Sequence, residues 1–540
     1  MSPVRCSGQV IESKIGSSLF DYADAINVRV PTSCGRNGQC HECIVEINSG
    51  HDSLNNPTEE EFFLGNNFRL ACQTKITDTD KVIEFSILRR QPRILVESIN
   101  RRVSHDPMVQ RNGDTVSFNG SYLDKYRNSI LGIAADIGTT TIVMNLVDLE
   151  TSNILATSSF ENPQKFGGSD IMNRISYDGG KFSGELRQVM LSALNFEIGE
   201  LTKQSNLHRR QIYEAVFVGN STMRDLLFNY DVQSIGQKPY RSITESLFLK
   251  GEIDSTALNI KAKDFGLRVF PDANIYGGPL IGSHVGSDVA ADILATAMGE
   301  NDEISMLVDI GTNTEVVLGN SNKMIVASCP AGPAFEGGEI SYGMPGYDGA
   351  IESLTFSETG TKYKTIGNKK PQGICGSGLI QILSELRRTK QMNELGVFEK
   401  SKQKIVLAPD QEISISRSDV SSLAQAKSAN YSGQFITMRS YGVNANQISK
   451  LYLAGGFANY IVPECAIDIG FLPNISSEKI TKVGNASLEG ATIMLKSKFF
   501  RKQIEEKVKL IDHIELETCD DFFEIFVEGC MFKPMPKILA

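Results

Sequence analysis

The sequence has no tryptophan and only six histidines in 540 residues. It also lacks any apolar run of about 18 residues, the length a membrane-crossing helix needs. Met1 to Val10 carries charge and a cysteine where a secretory signal would have an apolar core, so no targeting segment is expected there. Positive charge is scarce: 54 Lys and Arg stand against 64 Asp and Glu, a formal net charge of −10. Binding to nucleic acid in general needs a basic surface, so that class is excluded. Together these absences lead us to expect a cytoplasmic protein with neither a membrane nor a nucleic acid as partner.

Glycine, by contrast, is abundant at 47 residues, which points to tight turns and close approaches of backbone to ligand. The length corresponds to three or four domains at roughly 100–200 residues each. Residues 1–90 read as a small strand-rich module, with strand-like Val4 to Ile11 and helical spacing from Ser18 to Ile26. Residues 91–130 read as a solvated linker. The alternative is that its arginines (Arg89, Arg90, Arg93, Arg101, Arg102 and Arg111, counting the two just before it) form a docking strip for an acidic partner. From residue 131 buried strands alternate with longer helices, the pattern of α/β sheets covered by helices. Ala135–Val143 aligns with Val308–Val316 at six identities in nine, which predicts two duplicated units, 131–300 and 301–540.

Four of the ten cysteines form a spaced set: Cys34, Cys40, Cys43 and Cys72, in the pattern C-x5-C-x2-C-x28-C. A [2Fe–2S] cluster needs four thiolates, two per iron. Zinc also takes four thiolates but favours paired C-x2-C knuckles, and only one close pair is present. Gly35 and Gly38 let the loop bend so that its N–H groups approach the sulfurs. The other cysteines, Cys6, Cys329, Cys375, Cys465, Cys519 and Cys530, read as free thiols, with Cys375 a small core residue. Residues 1–90 resemble the plant-type and adrenodoxin-like ferredoxins, which implies a β-grasp fold. Plant-type members have four residues between the first two ligands, and many relatives carry glycine where Arg36 and His41 stand here.

The repeated Asp-Ile-Gly-Thr turns are the second signal. Each follows a buried strand and places a carboxylate, Asp136 or Asp309, at its end. Gly138, Thr139 and Thr140 on one side, and Gly311, Thr312 and Asn313 on the other, can offer N–H groups to phosphate oxygens. The two aspartates suit Mg²⁺ held through water. A third strand, Leu451 to Phe457, ends in Gly455 and Gly456, where a nucleoside can approach the backbone. Gly337-Gly338 and Cys375–Gly378 are further candidates for the cleft lining. This set resembles the actin, sugar kinase and Hsp70 superfamily, in which two RNase-H-like units close over ATP. Glu315 and Glu336 are candidates to orient the attacking water, and spacing leaves open which carboxylate is the base.

A ferredoxin module ahead of an actin-like ATPase resembles the reductive activators of corrinoid proteins. Val218–Met223, Pro330–Gly338 and Phe522–Pro534 agree with that family. The resemblance implies an enzyme that uses ATP hydrolysis and its cluster to return one electron to an inactive Co(II) corrinoid protein of a methyltransferase system, restoring Co(I). It also implies an upstream electron donor, a ferredoxin or flavoprotein, and a homodimer, although no dimer seam is legible. Longer relatives carry a middle domain before the first phosphate turn, for which 91–130 is too short. Cys519 and Cys530 do not fit a second cluster. The alternatives are a small-molecule kinase of the same superfamily, an activator of another reductive enzyme, and an electron carrier with a degenerate ATPase domain.

Overall fold

A computed structural model describes residues 3–537 apart from 7–8, 29, 33, 66, 89–100 and 358–359. The N-terminal module is a mixed five-stranded sheet, in the order Gln9–Glu12, Pro3–Cys6, Ile83–Ile87, Ile44–Ser49, Phe68–Leu70. What reads in sequence as one strand over Val4 to Ile11 is an antiparallel pair. The predicted helix forms over Leu19–Ala25, started by a Ser18–Asp21 capping box, and buries Leu19, Phe20, Tyr22 and Ala23 on the sheet. One helix laid across a mixed sheet is the expected β-grasp form. Glu61, almost fully buried, accepts from Arg69 Nε at 2.8 Å and Leu70 N at 2.8 Å, which pins the strand that leads to Cys72.

The linker expectation for 91–130 needs correction. Val109–Asn112, Thr115–Phe118 and Ser121–Lys125 form a three-stranded antiparallel meander. Val109 and Val116 are fully buried, in a core shared with Ile130 and Leu149. The signal was present: Asn112-Gly113 and Asn119-Gly120 are hairpin-turn dipeptides, and Gly113, Asn119 and Gly120 all take positive φ. Of the proposed docking strip, Arg89, Arg90 and Arg93 lie outside the described residues. Arg101 is engaged with Glu300 at 2.5 Å, and Arg111 lies over the Tyr126 ring at 3.7 Å.

The remaining chain builds two six-stranded sheets. The first runs Ile154–Glu161, Thr141–Asp148, Leu131–Ile137, Ile212–Val218, Asn274–Gly277, Leu258–Lys261. The second runs Ile480–Gly484, Lys450–Ala454, Ser305–Ile310, Thr314–Gly319, Met324–Cys329, Ile511–His513. Each contains an antiparallel three-strand meander followed by two parallel strands on its inner side, so five strands match one for one. The duplication read from the short repeat is thus a duplication of sheet topology, and the repeat is the first hairpin of each sheet.

Helices Ser287–Thr296 and Ala486–Lys496 each follow the fifth matched strand of their sheet and pack against each other between the sheets. A Cβ at Gly490 would sit 2.0 Å from the Ala291 carbonyl oxygen, so the helices meet backbone to backbone. Although residues 486–501 follow five strands of the second sheet in sequence, they also bind the first. Leu495 covers Gly132, Thr492 accepts from Asn145 at 3.2 Å, and buried Arg501 pairs with buried Glu214 at 2.8 Å. Among the described residues no helix is long and apolar enough to cross a membrane.

Gly490→Ala tests this contact by sign. Helix propensity alone favours alanine by about 1 kcal/mol. Overpacking a backbone contact costs about 1–3 kcal/mol. The substitution is expected to lower the thermal unfolding midpoint, and a rise would show that the helices part freely.

Candidate active site

The four predicted thiol ligands all lie in the N-terminal module. Cys34 and Cys40 lie on the loop before strand Ile44–Ser49, Cys43 at its start, and Cys72 just after Phe68–Leu70. They fall into two pairs. Cys43 Sγ lies 3.4 Å from Cys72 Sγ, and the Cys34 and Cys40 thiols hydrogen-bond to each other. Among the described residues no three metal-binding side chains converge on a single point. Four thiols in one small module match the number a [2Fe–2S] cluster takes.

The loop's backbone fits the same purpose. Burial works against ionisation of Cys34, but hydrogen bonds from the Cys40 thiol and the N–H groups of Cys40, Asn37 and Gln39 outweigh it and bring its pKa down to about 6. Cys72 is lowered to about 7, mainly by the hydrogen bond from Cys43, with help from Gln73 and the Gly38 N–H. Cys43, as the donor of that bond and buried, is raised. Gly35, Arg36, Gly38 and His41 all have positive φ. This explains why glycine suits positions 36 and 41. Here side-chain contacts offset a left-handed cost of about 1–2 kcal/mol. Arg36 bonds Asp24 at 2.6 Å and lies over the Phe20 ring, while His41 bonds Glu185 at 2.8 Å and stacks on Phe63 at 4.1 Å.

The second site lies between the two sheets. A single cavity is lined by every predicted nucleotide-site residue: Asp136, Gly138, Thr139, Thr140, Asp309, Gly311, Thr312, Asn313, Glu315, Glu336, Gly455 and Gly456. The two phosphate turns face each other and touch. Thr140 Oγ1 lies 3.2 Å from Thr312 Oγ1, and both hydroxyls donate to Glu336 Oε2, at 3.2 and 2.6 Å. The turns are fixed from behind. Arg174, itself buried, donates to the Thr139 carbonyl at 2.7 Å, and Asn162 Nδ2 donates to the Gly138 carbonyl at 2.8 Å. Gly455 is required at its position: its φ is +112°, and a Cβ there would lie 2.1 Å from the Ile310 carbonyl oxygen.

Sequence reasoning missed Asn220, Asp288, Phe457, Asn485 and Ser487, which line the same cavity. Asn485 N-caps helix Ala486–Lys496 and also donates to Asp136 Oδ2 at 2.9 Å. Asn220 caps Ser221–Leu227 and donates to Thr139 Oγ1 at 3.0 Å. Strand, cap residue and apolar helix in succession were the available signal. The Gly337-Gly338 pair serves packing instead, since a Cβ at Gly337 would meet Met344 backbone at 2.4 Å. Cys375 is buried, as expected of a small core residue. With Gly376 and Ser377 it lines a more apolar pocket formed by Met344, Pro345, Ile366 and Tyr460, which shares Thr140, Glu336, Gly456 and Phe457 with the first cavity.

Carboxylates crowd the cleft. Burial pushes Asp136 up to about 7, with Asp309 adding to the shift and Asn485 opposing it. Burial and the charges of Asp136 and Asp309 push Asp288 up to about 8. Asp309 is raised by burial to about 6, held from going further by a hydrogen bond from Asp292. Glu315 and Asp292 are raised as well, chiefly by burial. Glu336 is raised by burial, against the Thr312 and Thr140 bonds and the charge of Arg174. Buried together, these acids hold one another in the protonated form, burial being the main cause and mutual repulsion adding to it.

Comparison with known proteins assigns the domains. A [2Fe–2S] cluster-binding domain model matches residues 4–77, the RACo middle region matches 131–301, and the C-terminal ASKHA domain of RACo matches 303–537. The RACo middle region therefore falls on the first six-stranded unit and not on a separate domain ahead of it. The corrinoid activation enzyme RamQ of Eubacterium limosum is 30% identical over 429 residues, 75% of this chain and 70% of that protein. The [Co(II) methylated amine-specific corrinoid protein] reductase of Methanosarcina barkeri is 24% identical over 436 residues, covering 73% of this chain and 76% of the reductase. A solved reductive activator for corrinoid, iron-sulfur protein superposes with a TM-score of 0.73 at 26% identity, covering 100% of this chain and 99% of the other. With a ferredoxin module carrying a [2Fe–2S] site ahead of a duplicated ASKHA body, this chain belongs to the RACo family of reductive activators of corrinoid proteins.

Proposed function

We propose that this protein is an ATP-hydrolysing activator that returns one electron to an inactive Co(II) corrinoid protein of a methyltransferase system, restoring Co(I). The observation that carries the reading is the union, in one chain, of two paired-thiol sites and a cleft where both phosphate turns meet the buried acids. Cys34 and Cys40 would hold one iron, Cys43 and Cys72 the other. When bound, the cluster supplies a one-electron donor and Mg²⁺ neutralises phosphate charge. The N–H groups of Gly138–Thr140 and Gly311–Asn313 grip the phosphates, and Asp136, Asp288 and Asp309 would hold the cation. The apolar pocket beyond Gly456 and Phe457 takes the adenosine.

Phosphates entering between the turns displace the Thr140–Glu336–Thr312 contact. That frees Glu336, which touches both turns, to orient the attacking water. Glu315 is held by Ser328 at 3.2 Å and serves the cation side. Uphill electron transfer requires about 2.3 kcal/mol per 100 mV for one electron. From a couple near about −400 mV, a further one to two hundred millivolts is a few kcal/mol, the size of differential binding between two cleft states. A ferredoxin or flavoprotein would reload the thiol site. We place the protein in the cytoplasm, as a homodimer.

Two outcomes test this reading. Asp309→Ala is expected to lower ATP turnover about a hundredfold or more, the scale of several kcal/mol of lost stabilisation, while the visible spectrum of the cluster stays unchanged. ATP-stimulated corrinoid reduction that survives the substitution would remove Asp309 from the site. The second outcome follows from pH. Below about pH 6 to 8 the native cleft keeps protons on Asp309, Asp136 and Asp288 that the unfolded chain has lost above about pH 4. Metal-free stability therefore falls as pH rises through that window. Excess Mg²⁺ favours the ionised forms and should flatten the slope of thermal midpoint against pH. Asp288→Asn should reduce the slope even without metal. A slope indifferent to both would contradict the cation site.

A further inference from the structure

The first phosphate turn and the thiol-bearing loop are joined by two short arms. The first is Asn162 with the 3₁₀ turn Pro163–Gly167. The second is helix Ile171–Asp178. At the cleft end the arms bond to three consecutive carbonyls of the turn. Asn162 Nδ2 donates to Gly138 O at 2.8 Å, Arg174 Nη2 to Thr139 O at 2.7 Å, and Asn162 N to Thr140 O at 2.8 Å. A peptide unit is planar, so each of these carbonyls shares a rigid plate with the N–H of the next residue. Of the N–H groups assigned to phosphate, those of Thr139 and Thr140 share plates with the Gly138 and Thr139 carbonyls. Turning either toward a phosphate tilts the carbonyl on the same plate and pulls on its arm.

At the far end both arms reach Phe63, which is buried in the N-terminal module. Phe166 of the first arm meets its ring edge-on at 5.5 Å, and Tyr177 of the second donates its hydroxyl to the Phe63 carbonyl at 2.5 Å. Phe63 in turn stacks on His41 at 4.1 Å, and His41 lies between Cys40 and Cys43 in left-handed backbone. The arms are tied to each other as well. Arg174 also bonds Gln164 Oε1 at 3.2 Å and Gly168 O at 3.1 Å, and Phe166 packs edge-on against Tyr177 at 5.5 Å. Close-packed buried groups pass on displacements because they have no slack to absorb them.

We infer that Asn162, Arg174, Phe166 and Tyr177 are positioning residues that couple nucleotide occupancy of the cleft to the backbone around the thiol site. Nucleotide binding thereby shifts the midpoint potential of the cluster. Potential depends on N–H groups near the sulfurs and on solvent access, both set by that loop. The inference rests on the reading of the two sites given above. By reciprocity, reduction of the cluster must change nucleotide affinity by the same factor.

The test uses the full-length, cluster-loaded protein and the β,γ-imido analogue of ATP with Mg²⁺. Its affinity is measured by calorimetry in the oxidised and reduced states, and the midpoint potential by paramagnetic-resonance titration with and without it. The expected ratio of affinities is about fivefold, at the low end for coupled sites, which corresponds to about 41 mV at 59 mV per decade. Tyr177→Phe and Phe166→Leu should each bring the ratio toward one, with the resonance signal of the reduced cluster retained. Equal affinities in the two states, with the analogue bound and the cluster reduced, would overturn the coupling and leave both sites standing. An unchanged ratio in both variants would overturn the assignment of the arms. Failure of the analogue to bind, or of the cluster to assemble, would overturn the underlying reading and the inference together.

Discussion

The backbone contact between Gly490 and Ala291 is what the chemistry of the cleft depends on. It lets helices Ser287–Thr296 and Ala486–Lys496 touch along the line where the two sheets approach. The N-terminal ends of these helices carry Asp288 and Asn485 into the cleft, and Asn485 in turn holds Asp136. Two sheets built separately thus place their phosphate turns face to face, close enough for Thr140 and Thr312 to share one carboxylate. The crowding of acids that results is unfavourable on its own. Under the proposed function, a cation would relieve that crowding.

Much of this was legible in the sequence. The cysteine spacing pointed to a [2Fe–2S] domain, which the family match over residues 4–77 shows. The two Asp-Ile-Gly-Thr turns marked the cleft because each ends the same strand of its sheet, and the fold brings both to one cavity. Less visible were residues whose roles arise only when distant segments meet. Asn485 was missed because its contact with Asp136, 349 positions away, exists only in the fold. Arg174 was missed because its place is set only by the fold: it is buried behind the turn at Thr139. The meander over 109–125 was a different kind of miss: its two Asn-Gly turns were local signals, outweighed by the arginines nearby.

The N-terminal module is seated on the first sheet unit, where His41 meets Glu185 and Lys165 meets Glu46 at 2.9 Å. A thiol site on a free tether would report nothing about the nucleotide. Here the loop between Cys40 and Cys43 rests on the same elements that brace the first phosphate turn. Electron donor and ATPase therefore share a mechanical frame, as an ATP-driven reduction requires if nucleotide state and redox state are to influence one another.

The central claim is that this frame drives electrons into cobalt. The most direct measurement mixes the reduced protein with a Co(II) corrinoid protein and follows the Co(I) absorption band. The account predicts a band that grows with ATP and Mg²⁺ and stays small without them. A band equally large without ATP, or absent with every corrinoid protein tried, would contradict it.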